Sequence, residues 1–501
     1  MIQRVLVANR GEIAVRILRA ARLLGIETVA VHSEVDDGAL HTRFADQSEL
    51  IGPAPASESN LDIAKLIDTA KRTGCDAVHP GYGFLAERAA FAQAVLDAGL
   101  IWVGPSPEAI DLLGDKVRSR RLMENSGVPV TPGFDSDDQD TDSFLKAAKK
   151  IGYPLLVKAA AGGGGKGMRI VREEKELKEA LEGAMREAKS AFGDSRVFLE
   201  RYVERPRHIE FQIFGDSHGN AIHLFERECS IQRRHQKVVE ETPSTALTPQ
   251  LRKQMGEAAI EAARAANYVN AGTVEFLFDS AKQEFYFLEV NTRIQVEHPV
   301  TEEVVGVDLV AEQFRVASGE KLSWSQKALT QRGHSIEARI YAEDPASGFL
   351  PAAGPLLYLE EPTGPGIRVD SGVVAGREVP IHYDPILAKV ITHGPDREAA
   401  RRRMIQALEH YVALGVPTTA PFLRDVLAHE SFIKGETFTD FIPAHFDGWN
   451  GEVPELRDLA LGASAALAGS AGMRQTVSGN GTGVPATPWQ SADSWRMGGA
   501  R

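Results

Sequence analysis

Cysteine is nearly missing: Cys75 and Cys229 are the only two in 501 residues. Two residues build no disulfide framework and suit a reducing compartment, so a cytoplasmic protein is expected. Long hydrophobic runs are missing as well. No segment has the apolar length of a membrane span, and the first residues enter a strand instead of a signal peptide. Positive charge is in deficit, with a formal net charge of −13. That balance argues against nucleic acid or an anionic membrane as partner, and leaves a small anionic ligand as the use of any basic cluster. Two phosphate-loop signatures are also absent. The opening turn reads NRGEIA without G-x-G-x-x-G, and in the later glycine run Gly165 and Lys166 are followed by Gly167 where Walker A has Ser or Thr. A Rossmann oxidoreductase and a P-loop enzyme are both disfavoured.

What is present is a long chain of ordinary composition, 43% apolar and 25% charged, enough for two to four subdomains with substantial cores. Residues 4–9 form an apolar run, Gly11 to Leu24 has helical spacing, and Glu27 to His32 returns to strand character, a doubly wound opening. The alternation continues through a helix Leu61 to Thr73, a strand Ala77 to His79, the loop HPGYGFLAE, a helix from Ala89 and a strand Ile101 to Val103. Turns alone fit the glycines of that loop, with direct ligand contact as the alternative. Lys116 sits in LLGDKVRSRRLMENSGVP, read as one amphipathic helix. Lys158 ends the strand YPLLVK, and AAAGGGGKGMRIV follows. Polyglycine between strands fits a mobile flap that closes over phosphates, with a plain linker as the alternative.

Downstream, FLERYV ends one strand and ERPRHIEFQIFGD begins another, with His208, Glu210 and Gln212 on one face. The block SIQRRHQKVVEETPS reads on general grounds as a surface charge run. After a helix Leu251 to Ala266 come two acidic strands, GTVEFLFD and EFYFLEVN. Strand alternation puts Glu289, Asn291 and Arg293 on one face and Tyr286, Leu288 and Val290 on the other. Glu275 is the single charge in its apolar strand. It joins Glu289 if Ser280 lies opposite Glu284, leaving three residues in the turn. Two carboxylates on neighbouring strands call for a divalent cation such as Mg²⁺, or for salt bridges in an ordinary sheet. His334 to Tyr341 is a strand containing Arg339, followed by turn-rich β segments and a helix Glu398 to Tyr411. Beyond Asp447 the composition shifts to Ala, Gly, Ser and Thr, with a weak helix Glu455 to Leu467 and then a linker.

These features describe a site for ATP and Mg²⁺ built from sheet elements. From Met1 to about Asp447 the chain resembles a biotin carboxylase of the ATP-grasp superfamily, through VLVANRGEIAVRI, HPGYGFLAE, VKAAAGGGGKGM, ECSIQRRHQKVVEE, EVNTRIQVEHPVTE and EARIYAEDP in family order. The resemblance implies an α/β chain, α+β overall, with the biotin carboxylase fold. Its parts are a doubly wound N-terminal domain (1–115), an ATP-grasp domain (116–330) with a mobile Gly-rich lid at about 131–203, a mixed β C-terminal domain (331–447) and a flexible tail or linker (448–501). It implies Lys116 and Lys158 on the ATP phosphates under Gly164 and Gly165. Glu200, Arg201, Tyr202 and Val203 hold the adenine edge, with His208 and His235 near the nucleotide. Glu275, Glu289 and Asn291 are implied ligands of Mg²⁺ or Mn²⁺. Lys237, Arg293, Gln295 and the Val296 backbone belong to the bicarbonate site, Glu297 is the general base, and Arg339 stabilises the biotin enolate.

Departures from the family pattern are Arg201, where Lys is commoner, and a turn between the acidic strands two residues longer than in compact bacterial subunits. No A-M-K-M sequence occurs, so biotin is expected on a separate carrier domain or chain, beside a carboxyltransferase subunit and in a homodimer or larger complex. Trp489, Trp495 and Arg496 resemble the start of the next domain in longer acyl-CoA carboxylase α subunits, which suggests a subunit cut short, with a disordered extension as the equal alternative. Another ATP-grasp ligase and a non-catalytic nucleotide-binding scaffold are the rivals; HPGYGFLAE and QRRHQK with Arg339 weigh against the first, and the absence of degenerate site positions against the second.

Overall fold

The computed structural model describes residues 1–136, 138–160, 168–234 and 236–451, and the isolated positions 460, 462 and 464. Two units separate, Met1–Val453 and Pro454–Arg501. The expected weak helix from Glu455 falls almost wholly outside the described residues, as do Trp489, Trp495 and Arg496.

The first unit opens with a parallel five-stranded sheet. Its order is Gln47–Gly52, Glu27–Ser33, Arg4–Val7, Ala77–His79, Ile101–Trp102. The central strand carries Val5, Leu6 and Val7, all fully buried, as a strand covered on both faces requires. Val5 and Val7 pack on the helices Gly11–Leu23 and Leu309–Ala317, while Leu6 and Ala8 pack on Ile63–Arg72 and Ala89–Asp97. The doubly wound reading is thus realised.

A second sheet, four-stranded and antiparallel, has the order Gly133–Asp135, Val197–Arg201, Leu155–Ala159, Arg169–Val171. The helices Thr141–Ile151 and Glu174–Phe192 cover it through Phe144, Ala148, Leu177 and Leu181.

The third sheet holds the site. Eight strands run in the order Glu284–Asn291, Asn270–Asp279, Arg207–Gly215, Ala221–Arg233, Gln236–Thr242, His334–Tyr341, Ile386–Gly394, Ile367–Ser371. It crosses residue 330, where a domain boundary was expected, because Gln236–Thr242 pairs directly with His334–Tyr341. One face is apolar: Phe211, Val274 and Phe276 meet the helix Pro249–Ala265, and Ile336, Ala338 and Val390 meet Arg397–Glu409. Alternation then sends Glu210, Glu275, Glu337 and Arg339 to the opposite face.

Three local expectations are corrected. LLGDKVRSRRLMEN is two helices, Pro107–Gly114 and Lys116–Asn125. Asp115 between them is extended, and its Oδ1 accepts from the N–H groups of Val117 and Arg118, capping the second helix. SIQRRHQKVVEETPS is no surface run. It closes the hairpin of Ala221–Arg233 with Gln236–Thr242, in which Val238 to Thr242 are buried. In the acidic hairpin Asp279, not Ser280, lies opposite Glu284, and Glu275 still faces Glu289. A bulge reconciles the two: Glu275 pairs with Glu289 but Phe276 with Phe287, so Leu288 is the extra residue. It also moves Tyr286 off the apolar face, and Phe287 joins Val290 in the core.

Candidate active site

Register across the eight-stranded sheet aligns charged residues into rows. Glu289 lies opposite Glu275, Glu275 opposite Glu210, and Glu210 opposite Arg227. Farther along, Glu240 lies opposite Glu337, and Arg339 opposite Lys389, itself opposite Asp370. So many titratable groups on one buried face persist only if each finds a partner or, like Glu337, whose oxygens have none, gives up its charge.

Lys237 supplies the central one. Its Nζ lies 2.5 Å from Glu210, 2.7 Å from Glu275 and 2.8 Å from Glu297. Burial pushes the ammonium pKa down, but the three carboxylates outweigh it and hold the group charged, well above the usual lysine value. Arg227, fully buried, donates to Glu210 at 2.6 Å, Gln212 at 2.8 Å, Thr301 at 3.0 Å and Thr273 at 3.1 Å. The donor atoms of Glu210, Glu275 and His208 gather closely, as do those of Glu210, Cys229 and Glu297. Lys237 already lies against the carboxylates of both groups.

Glu297 sits on the loop 292–297 that leaves the second acidic strand, and is wholly buried. Lys237 holds one carboxylate oxygen, and Arg339 Nη2 holds the other at 2.9 Å. Burial pushes this carboxyl up, yet Lys237, Arg339 and Arg227 hold it below the ordinary carboxylate range. Arg339 also binds Glu240 through Nε at 2.6 Å. Burial drives Glu240 up to about 7 against the pull of Arg339, and Glu337 beside it is raised well above its usual value. Burial lowers the Arg293 pKa, but the charges of Glu87 and Glu297 raise it overall. Its guanidinium lies 3.1 Å from Glu87 and 3.2 Å from the Asn291 amide oxygen. Gln295 donates to Glu275 at 3.1 Å, and the Val296 carbonyl accepts from Lys389 at 2.7 Å.

At the other end of the row, Glu289 is 39% exposed and 3.7 Å from Lys116. Asn291 Nδ2 donates to Glu275 at 2.8 Å. The amide oxygen faces Arg293 instead; with that amide turned over, Glu275, Glu289 and Asn291 are a set of hard oxygen donors of the kind a divalent cation takes. His208 Nδ1 accepts from Gln232, and its Nε2 lies 3.0 Å from Glu275. Lys158 and Glu200 pair with each other at 2.5 Å. Arg201 donates to the Tyr286 hydroxyl, with its guanidinium 5.3 Å from that ring centre. Its backbone N–H binds Pro132 and that of Tyr202 binds Pro154, while Val203 is buried. Gly164, Gly165 and His235 lie outside the described residues.

The structure therefore gathers Lys237, Glu275, Gln295, Glu297 and Arg339 at one point, with Arg293, Asn291, Glu289 and Lys116 alongside. Arg227 and three acids of this site escaped the sequence reading. Glu87 lay in HPGYGFLAE, where only the glycines drew notice. Glu210 alternated with buried apolar residues and carried the same signal as Glu275. Glu240 looked like one more acid in VVEE until pairing placed it under Arg339.

This geometry can be set beside known proteins. Residues 1–110 match the biotin carboxylase N-terminal domain, 115–325 the ATP-binding domain of the carbamoyl-phosphate synthase L chain, and 337–444 the biotin carboxylase C-terminal domain. Methylcrotonoyl-CoA carboxylase subunit alpha, mitochondrial, of Rattus norvegicus is 49% identical over 445 residues, which is 89% of this chain and 62% of the rat protein. The chain thus spans under two thirds of that relative. Biotin carboxylase 1 of Bacillus subtilis is also 49% identical over 445 residues, covering 89% of this chain and 99% of the relative. Among solved structures, the biotin carboxylase domain dimer of Hydrogenobacter thermophilus 2-oxoglutarate carboxylase, in complex with MgADP, ADP and bicarbonate, superposes with a TM-score of 0.86. It is 46% identical and covers 90% of this chain and all of that one. The acid row, the Lys237 junction and the arginine beneath Glu297 lie in a chain whose three parts and near-full-length bacterial relative agree, and it belongs to the biotin carboxylase family.

Proposed function

We propose that the chain carboxylates carrier-borne biotin with bicarbonate at the expense of ATP. The observation that carries the reading is the position of Lys237, within 2.8 Å of both Glu275 at the acid row and Glu297 on the loop. An anion entering between them meets a cation already charged, beside a carboxylate already ionised.

In this reading Lys116 and Lys158 receive the ATP phosphates, and Glu200 to Val203 with His208 and His235 line the nucleotide. A divalent cation held by Glu275, Glu289 and Asn291 would offset phosphate charge. Arg293, Gln295, Lys237 and the Val296 backbone hold bicarbonate, the arginine by a planar fork that suits a planar anion. Once the substrate takes a share of Lys237, Glu297 loses part of the field that keeps it acidic, and its affinity for a proton rises. A bicarbonate oxygen then attacks the γ-phosphorus, its proton passes to Glu297, and ADP leaves. The carboxyphosphate so formed breaks into CO₂ and phosphate. The phosphate takes the ureido proton of biotin, Arg339 stabilises the enolate, and the nitrogen bonds to CO₂.

The partners of this reading are a biotin carboxyl carrier domain or protein, a carboxyltransferase subunit and a second copy of the chain. No helix among the described residues is long and apolar enough to cross a membrane, and we place the protein in the cytoplasm. Phosphate release from ATP with bicarbonate is expected to rise on adding free biotin. Glu297→Gln is expected to lower that biotin-dependent rate by about 10²-fold or more while nucleotide affinity stays within about threefold. ATP binding without any biotin stimulation in the unaltered chain would refute the proposal.

A further inference from the structure

Behind the loop 292–297 lies a lysine with no role in the chemistry above. Lys389 is fully buried in the strand Ile386–Gly394. Its Nζ donates to the Val296 carbonyl at 2.7 Å and lies 3.3 Å from Glu12 and 3.8 Å from Asp370. Register sets it directly opposite Arg339. Adjacent cations thus rise from neighbouring strands to one loop. Arg339 grips the Glu297 side chain, and Lys389 grips the carbonyl just before it.

We infer that Lys389 is a positioning residue for the bicarbonate step, fixing the Val296–Glu297 peptide so that the Glu297 carboxylate meets the substrate at one distance. With the side chain tied at its tip and the backbone tied one bond earlier, Glu297 has little freedom left, and proton transfer at hydrogen-bond range depends on such precision. The ordinary explanation is that Lys389 only neutralises buried acids. Asp370 does not need it, because Arg368 binds both its oxygens at 3.0 and 2.9 Å. Glu12 does, since its carboxylate makes no hydrogen bond. Burial pushes Glu12 up to about 7 against the pull of Lys389. Glu337 is the third acid near Lys389, but burial raises its pKa well above the ordinary carboxylate range, so it stays protonated and needs no counter-charge. The two roles therefore come apart when Glu12 is neutralised.

The inference rests on the proposed bicarbonate-dependent cleavage of ATP, and the test separates the two. Phosphate release by the full chain is followed against bicarbonate and against ATP for the unaltered protein, Lys389→Met, Glu12→Gln and the double variant. Lys389→Met should raise the bicarbonate KM roughly tenfold or more with the ATP KM within about threefold, as loss of one charged hydrogen bond predicts. Adding Glu12→Gln should recover the melting temperature and leave the bicarbonate KM raised. A double variant with a bicarbonate KM within about twofold of the unaltered chain, or an equal rise in both KM values, overturns the inference. If Lys389→Met alone does not fold, the double variant decides by the same readings. An unaltered chain without bicarbonate-dependent phosphate release fails the proposed function itself.

Discussion

At the residue scale, several histidines of this fold are held neutral. His79 is fully buried, its Nδ1 accepts from the Gly81 N–H at 3.0 Å, and its Nε2 lies 3.2 Å from the Gln313 amide oxygen. Burial pushes its pKa down to about 3, and His41 and His223 down to about 4. In the unfolded chain the same groups bind a proton near pH 6.5. Below that pH the unfolded state takes up protons that the folded state refuses, so stability is lost as pH falls from 6.5 toward 4, by up to about 1.4 kcal/mol per unit for each histidine. Urea midpoints at pH 7 and pH 5 check the sign. His79→Gln should narrow the difference between them, because the substituted chain has one fewer group to protonate on unfolding.

At the element scale, close backbone approach constrains the central strands as much as charge does. A Cβ on Gly215, at the end of Arg207–Gly215, would overlap the Tyr268 carbonyl oxygen, a backbone atom that cannot swing aside. Gly215→Ala is therefore expected to cost about 1–3 kcal/mol in chemical denaturation, with the far-UV spectrum retained. Elements were legible in the sequence where periodicity was long: His334–Tyr341 appears with its expected bounds, and the parallel opening follows the expected alternation. Glu275 and Glu289 could be placed on one face because a lone carboxylate in an apolar strand is conspicuous. The bulge at Leu288 was not legible, since one extra residue leaves composition and alternation almost untouched. Nor was the break at Asp115: the apolar spacing runs through it, and Gly114 just before it, a poor helix former, was not taken as a stop. Local pattern also made Lys237 look like surface, and only the strand pairing brings it beneath three acids.

At the scale of the whole molecule, the hydrophobic clusters among the described residues close with Trp449, which packs on Phe422. A chain ending at Val453 should accordingly melt within about 2 °C of the full one, since it gives up none of that buried apolar surface. Calorimetry on the two chains measures this, and a larger drop would mean that the last 48 residues, 454–501, support the fold.

The pairing of Gln236–Thr242 with His334–Tyr341 gives a practical rule for dividing this protein. Severing the polypeptide near residue 330 bares a raw strand edge on each fragment, with Glu240 on one piece and its guanidinium partner on the other. Neither fragment can be handled as an independent module, and recombination between relatives that swaps material at that point would yield sticky, aggregation-prone halves.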